Sequence, residues 1–352
     1  MVFPAGRGVY SLTDGVHGGV KMQSILTRPL ADKVILIHRG ALGDFLSMWP
    51  SAWALSREFA HARLCFAGSR ERLPWLEPLG FTACSPEIRI ALDGLHGAGR
   101  WPGVLESWSV FWFVVDRVPD VPAAPYGRNC FFVRSLPGTG DRIHVRDAQA
   151  EFLDGLGIPT PPGWLGEFRR LFAAGRTSWG SPGKSVLLFP GAGHPLKQWP
   201  MVQYFQLADR LERAGLEPLF VLGPAELERG LIPGERALRA PGNLHELQRL
   251  ILSARAVVGG DTGPMHLAGM LGVPGVALFG PTSFAQWGPA GLRELSIGLP
   301  CSPCTATCAD LDCRDASCLG QITPEMVFST LEETFDECKT GFQGPGFLES
   351  RF

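Results

Sequence analysis

Apolar residues in this chain come in short unbroken runs, each stopped by glycine or proline and followed by a stretch with helical spacing. Val34 to His38 (VILIH) is the first such run, and a helical stretch follows from about Phe45 to Phe59. Val186 to Phe189 (VLLF) is the next, with a helix from about Met201 to Ala214. Leu219 to Leu222 reads as a strand, Leu244 to Ser253 as a helix and Ala256 to Val258 as a strand. A helix at Pro264 to Leu271 and a strand at Gly275 to Phe279 follow. Runs without alternation suit strands buried on both faces of a parallel sheet. Strand and helix in turn predict an α/β, doubly wound sheet with right-handed crossovers.

The opening phrase of strand, glycine loop and helix occurs twice, so the chain reads as two halves. Its 352 residues exceed one comfortable core, which agrees. Residues 31–165 form the first unit and 180–335 the second, with 1–30 as a poorly ordered extension and 336–352 as a tail. Met22 is an alternative start. Pro159 to Gly183, with PTPPGW early and SWGSPG late, is the natural linker region. Residues 93 to 142 carry Trp, Pro and Gly with little periodicity, and long loops are expected there. Two such units facing each other place ligands beyond the carboxyl ends of their strands. The loops at 39–44, 190–197, 223–226, 259–266 and 280–287 are therefore expected to converge.

Composition narrows the functions. A formal net charge of −2 gives no electrostatic footprint for nucleic acid. The run Val110 to Val115 is far shorter than the roughly 20 residues that span a bilayer. Residues 1–30 lack the compact apolar segment of a secretory leader. With nine cysteines, an odd number, this argues for a reducing cytoplasm over a secreted disulfide scaffold.

The loops carry the candidate chemistry. In VVGGDTGPMHLAGM (257–270) a buried strand ends at Gly259-Gly260, Asp261, Thr262 and Gly263 make the turn, and Pro264 suits the first helical turn. Exposed amides and the helix dipole there attract anions, and His266 adds a donor. The plainer alternative is that Asp261 or Thr262 caps the helix and His266 packs. In FPGAGHPLKQWP (189–200) the glycines admit a ligand to the backbone, and Lys197 precedes a helix start. It reads either as a phosphate contact or as a solvated surface lysine. Neither half contains G-x-G-x-x-G or a Walker loop, so nicotinamide, flavin and P-loop chemistry lose their main support. The first loop, Arg39 to Asp44, instead ends in a carboxylate at a helix start. There the dipole favours the ionised form, as either a cap or a general base.

Three blocks resemble glycosyltransferase family 9, the ADP-heptose:lipopolysaccharide heptosyltransferases: ILIHRGALGDFLSMWP, LLFPGAGHPLKQWPMVQYFQLADRL and VVGGDTGPMHLAGMLGVPGVALFGPTSFAQWGP. A fourth, CSPCTATCADLDCRDASCLGQITPEMV, is similar to the Cys-rich tail of many members. The resemblance runs from about residue 33 to 335 and is weak over 60–145. It implies the two-domain GT-B fold and an inverting, metal-independent transfer that needs no cofactor, the ADP-sugar being a substrate. It makes Asp44 the general base and Lys197, Gly263 and His266 the diphosphate site. Asp261 and Thr262 would meet the transferred sugar, Glu226 the ribose, and Gly242 to Leu244 the adenine. The implied partners are a nucleotide-sugar donor and a lipid-linked or glycan acceptor.

Two other functions fit the same loops: a GT-B nucleotide-sugar epimerase, and a non-catalytic nucleotide-sugar binder. A lipid-linked acceptor without a spanning segment implies at most loose, peripheral contact with the inner face of the cytoplasmic membrane. Trp101, Trp108 and Trp112 are candidates for that contact, or else pack in the core. Cys301-x-x-Cys304 has metal-ligand spacing, with Cys308, Cys313 and Cys318 nearby. Reduced or locally bridged structural cysteines are the favoured reading over a zinc or iron site.

Overall fold

The computed structural model describes residues 29, 32–97, 101–114, 129–136, 143–174, 183–231, 233–304, 313 and 316–340. In the first half the strands are β1 (Lys33–His38), β2 (Arg63–Ala67), β3 (Phe81–Ala83), β4 (Ser109–Val114) and β5 (Cys130–Arg134). Its helices are α1 (Leu42–Glu58), α2 (Pro86–Asp93), α3 (Val145–Gly155) and α4 (Trp164–Phe172). The five strands pair in parallel in the order β3-β2-β1-β4-β5. The second half holds β6 (Ser185–Phe189), β7 (Glu217–Val221), β8 (Leu238–Arg239), β9 (Ala256–Gly260), β10 (Gly275–Phe279) and β11 (Arg293–Ser296). They form a six-stranded parallel sheet in the order β11-β10-β9-β6-β7-β8. Around it lie α5 (Met201–Arg213), α6 (Pro224–Glu228), α7 (Leu244–Ser253), α8 (Gly263–Met270), α9 (Phe284–Trp287), α10 (Ser317–Gly320) and α11 (Pro324–Thr340).

In each sheet the order reverses beside the first strand of the unit, β1 or β6. A reversal of this kind opens a crevice at the carboxyl ends of the strands. The glycine loops after β1, β6 and β9 open onto one shared cavity. The unbroken apolar runs are explained by burial: Val34, Ile35, Leu36 and Ile37 in β1, and Val186, Leu187 and Leu188 in β6, are fully buried.

Two expectations need correction, and the two readings of the tryptophans narrow to one. The stretch expected to form long loops holds β4 and β5, and SVFWFV is the buried neighbour of β1. Aromatic side chains fill both faces there, Phe111 stacking on Phe131 and Trp112 on Phe132, which hides any alternation. The Pro/Gly-rich linker contains α4, whose Trp164 and Phe168 are buried in the core shared by both halves. Trp108 and Trp112 are 4% and 3% exposed, so they pack inside rather than face a membrane, and Trp101 lies half-buried against the same cluster. Residues 1–28 lie outside the described residues, and α11 continues through Thr340, past the point where the tail was expected to begin. Among the described residues no helix is long and apolar enough to cross a membrane.

Side chains cross between the halves in number. The Trp75 indole donates to Gln248 Oε1 at 2.8 Å, and Gln248 donates to the Phe172 carbonyl at 3.0 Å. Arg169 reaches the Gly269 carbonyl at 3.2 Å, near the carboxyl end of α8.

Candidate active site

All five loops expected to converge line one cavity of about 710 Å³. Asp44, Lys197, Glu226, Gly242, Leu244, Asp261, Thr262, Gly263 and His266, taken from opposite halves of the sequence, all lie in its wall.

Asp44 comes from the first half. Helix α1 begins at Leu42, earlier than its sequence pattern suggested, so Asp44 is the third helical residue rather than the cap. Ala41 is the cap, and its N–H donates to Asp44 Oδ2 at 3.1 Å. Among the described residues Oδ1 has no hydrogen-bond partner, so one oxygen secures the turn and the other is left for the cavity. Burial pushes the Asp44 carboxyl above its ordinary range. The Ala41 N–H and the charges of His266 and Lys197 pull it back down, and Asp261 pushes it up. Desolvation thus outweighs the helix-terminus effect expected from the sequence.

Helix α8 faces α1 from the other half. A Cβ on Gly263 would stand 2.7 Å from that of Leu42, and one on Gly43 would stand 3.2 Å from His266 Cδ2. Only glycine at both places lets the two helix N-termini approach this closely. Their unpaired amides and positive dipole ends therefore share one end of the cavity, which suits an anion. Thr262 caps α8 without a side-chain hydrogen bond, and its buried Oγ1 has no partner among the described residues. A buried hydroxyl left unsatisfied is costly, and this one borders a cavity large enough for a ligand.

Asp261 organises the polar wall. It forms an ion pair with Lys197, accepts from Thr282 Oγ1 at 3.0 Å, and has His266 Nε2 3.7 Å from Oδ1. Burial alone would raise the Asp261 carboxyl. The nearby His266 ring and the Lys197 ammonium overcome that and hold it at about 2. A carboxylate whose folded pKa lies below its unfolded value stabilises the fold above the unfolded pKa, near 3.8. That contribution is lost as pH falls toward 2. In acid-titrated thermal unfolding, the Asp261→Asn variant should lose less stability than wild type between about pH 4 and pH 2.

Glu226 leans across Gly191: its Oε2 accepts from the Gly223 N–H at 2.9 Å, and a Cβ on Gly191 would stand 2.3 Å from Oε1. The Gly242 amide is already used by Glu246 Oε2 at 2.9 Å, so Gly242 offers a ligand its surface and not its N–H. Asn243, inside the Gly242 to Leu244 stretch expected near the adenine, lines the cavity too, and sequence reasoning missed Glu71, His194, Thr282 and Trp287 as lining residues. His194 and Thr282 stand inside quoted blocks and were within reach. Glu71 comes from the 3₁₀ turn after β2, where no pattern marked a site.

Two facing parallel sheets with this cavity between them place the chain in the GT-B class of folds. A family model described as "Glycosyltransferase family 9 (heptosyltransferase)" matches residues 134–313, just over half of the chain. The chain belongs to that family. It is 31% identical over 224 residues to lipopolysaccharide heptosyltransferase 1 of Pseudomonas aeruginosa, a match spanning 57% of this chain and 62% of that protein. The structure of the Escherichia coli ADP-heptose lipopolysaccharide heptosyltransferase II aligns at a TM-score of 0.56 and 17% identity, covering 87% of this chain and 99% of that one. The iron-containing dodecameric glycosyltransferase TibC of enterotoxigenic Escherichia coli aligns at 0.53 and 16%, covering 88% and 78%.

Iron in that neighbour directs attention to the cysteine-rich segment. Cys301 and Cys304 are exposed, Cys318 is buried against Gly280, and Cys313 Sγ accepts from the Ala316 N–H at 3.4 Å. Among the described residues none of these four sulfurs is in a disulfide, and Cys308 lies outside the described residues. Among the described residues no three His, Cys, Asp or Glu side chains are grouped to hold a metal. The described residues thus supply no metal-ligand set.

Proposed function

We propose that this chain is an inverting glycosyltransferase that moves a heptose or related sugar from an ADP-sugar to a lipopolysaccharide inner-core or similar glycan acceptor, without a metal. One observation carries the reading: a carboxylate with an uncommitted oxygen, Asp44, shares a cavity with an anion-suited wall built by Lys197, His266 and the start of α8. The similarity to lipopolysaccharide heptosyltransferases supports the donor and acceptor classes.

In this reading the ADP diphosphate lies at the N-terminus of α8, where Lys197, His266 and the amide after Gly263 meet its charge. Asp261 and the unpartnered Thr262 hydroxyl receive hydroxyls of the transferred sugar. Glu226 accepts from the ribose, and the adenine rests near Gly242 and Leu244. Asp44 takes the proton from the acceptor hydroxyl. That oxygen bonds to the anomeric carbon as the bond to the phosphate oxygen breaks, and ADP carries away the electron pair. Attack from the face opposite the departing diphosphate inverts the configuration. The raised Asp44 carboxyl makes it a stronger base than an exposed aspartate. The enzyme would work in the cytoplasm, in loose contact at most with the membrane that carries a lipid-linked acceptor.

The test is product analysis by NMR after incubation with ADP-heptose and a heptose-free lipopolysaccharide core. A heptosylated core with the anomeric configuration opposite to the donor is expected. Epimerised donor without transfer would replace this reading with the epimerase. Binding of ADP-heptose with no turnover would leave a binding protein.

A further inference from the structure

The base of the site carries a cation that the reading above does not use. Arg72, in the 3₁₀ turn Arg70–Trp75 after β2, reaches under the loop between β1 and α1. Its Nη1 donates to the Gly40 carbonyl at 2.7 Å and lies 3.3 Å from His38 Nδ1. The guanidinium also rests over the Phe45 ring, 5.6 Å from its centroid. Gly40 and Phe45 flank Asp44 in the chain. A Cβ on Gly40 would stand 2.9 Å from Asp44 Oδ2 and 3.2 Å from His38 Cε1, so these groups form one tight cluster.

His38 is 3% exposed at the end of β1. Burial and the neighbouring Arg72 charge push its pKa down to about 3, so the ring is neutral at working pH. A neutral ring that accepts from Arg72 at Nδ1 carries its proton on Nε2. Arg72 therefore sits half-buried on a carbonyl and a neutral imidazole, without a carboxylate in hydrogen-bonding contact among the described residues. A desolvated guanidinium is costly without compensating charge. Asp44 and Glu71 are the two carboxylates whose charge acts on it. Glu71 is exposed and its share is screened, which leaves Asp44 as the main counter-charge.

We infer that Arg72 is a positioning residue for Asp44: it fixes the Arg39–Ala41 turn through the Gly40 carbonyl and adds its positive charge to the cluster that holds the carboxylate. The inference rests on Asp44 being the base. The other groups facing Asp44 are His266, Lys197 and Asp261 from the second half, with Glu71 at the cavity rim and His38 behind Gly40. Arg39, adjacent in sequence, is occupied with Asp93 at 2.9 Å.

Two substitutions separate charge from hydrogen bonding. Arg72→Gln keeps a donor for the Gly40 carbonyl and loses the charge. Arg72→Lys keeps the charge and loses the planar fork. An opposite charge nearby lowers a carboxyl pKa by about 1–3 units. Removing it raises the Asp44 pKa, so less base is ionised at a given acidic pH. In Arg72→Gln the acid limb of the kcat profile, followed as ADP release from ADP-heptose with heptose-free core, should move to higher pH. In Arg72→Lys the limb should stay in place while the plateau falls about tenfold through lost positioning. ADP affinity by calorimetry should match wild type in both.

The double variant Asp44→Asn/Arg72→Gln should be no slower than Asp44→Asn alone, because residues acting through one another are not additive. An unmoved acid limb in Arg72→Gln, or additive losses in the double variant, would overturn the inference. So would an activity loss matched by equal losses of thermal stability and ADP affinity, which marks a merely structural arginine. If Asp44→Asn alone transfers at near wild-type rate, the base assignment fails first. If Asp44 is essential and the Arg72 profile is unchanged, only the present inference fails.

Discussion

Asp44→Asn should lower kcat for sugar transfer by about 10²–10⁴-fold, the usual contribution of a general base, and leave ADP affinity close to wild type. The amide keeps the size of the carboxylate and an oxygen to accept from the Ala41 N–H, so the first turn of α1 should survive. What goes is the charge and the capacity to take a proton. The residues proposed to hold the nucleotide, Lys197, Glu226, Gly263 and His266, all come from the second half, so the loss should fall on kcat and not on donor binding. Burial holds the Asp44 carboxyl above its ordinary range. The wild-type rate should therefore fall on acidification through a pKa above the usual 3.8 for aspartate, and the small residual rate of the variant should lack that step. Single-turnover transfer beside an ADP titration measures both. Transfer at near wild-type rate would reduce Asp44 to a helix-capping residue. Lost ADP affinity with transfer otherwise intact would mean that the first loop holds phosphate.

The second half was the more legible because its physics is local. Strands β6, β9 and β10 are short apolar runs, β9 ends in two glycines, and β6 and β10 run directly into glycine-containing loops. Asp261, Thr262, Gly263 and His266 lie within one turn, so sequence adjacency already placed them together. The first half was harder because its cues are tertiary. Along the chain Trp108 and Trp112 read equally as membrane contacts or as core residues. In the fold they pack with Ile35, Ile37 and Val110 against the sheet, which only strand order could reveal. Helix α4 sits between Pro- and Gly-rich stretches, and its buried Trp164 and Phe168 gain meaning from the α1 face they meet, where Phe168 lies 5.0 Å from Trp49. Arg72 was invisible for the same reason. Its target is a carbonyl distant in sequence, and backbone groups leave no residue-type signature.

The pairing of Lys197 with Asp261 was also unreadable, since the two came from separate motifs and were assigned to separate parts of the donor. In the structure each is the other's counter-ion, with the side chains 14% and 12% exposed. A diphosphate entering beside α8 therefore competes with Asp261 for the ammonium, and Lys197 both attracts the ligand and neutralises the carboxylate that would repel it. Lys197→Ala removes both effects. A charge-assisted hydrogen bond contributes about 1.5–3 kcal/mol, so ADP affinity should fall by roughly 10–100-fold, and more steeply at low salt where the unpaired carboxylate is less screened. The same variant leaves Asp261 largely buried with only His266 and Thr282 to compensate, so its thermal stability should drop as well. Lys197→Ala/Asp261→Asn removes the unpaired charge. It should regain most of the lost stability and part of the ADP affinity, a coupling that a solvated surface lysine would not show. Calorimetric titration with ADP at two salt concentrations, together with thermal unfolding of both single variants and the double, decides the matter. ADP affinity unchanged in Lys197→Ala would remove the lysine from the diphosphate site and leave it as the partner that keeps Asp261 ionised.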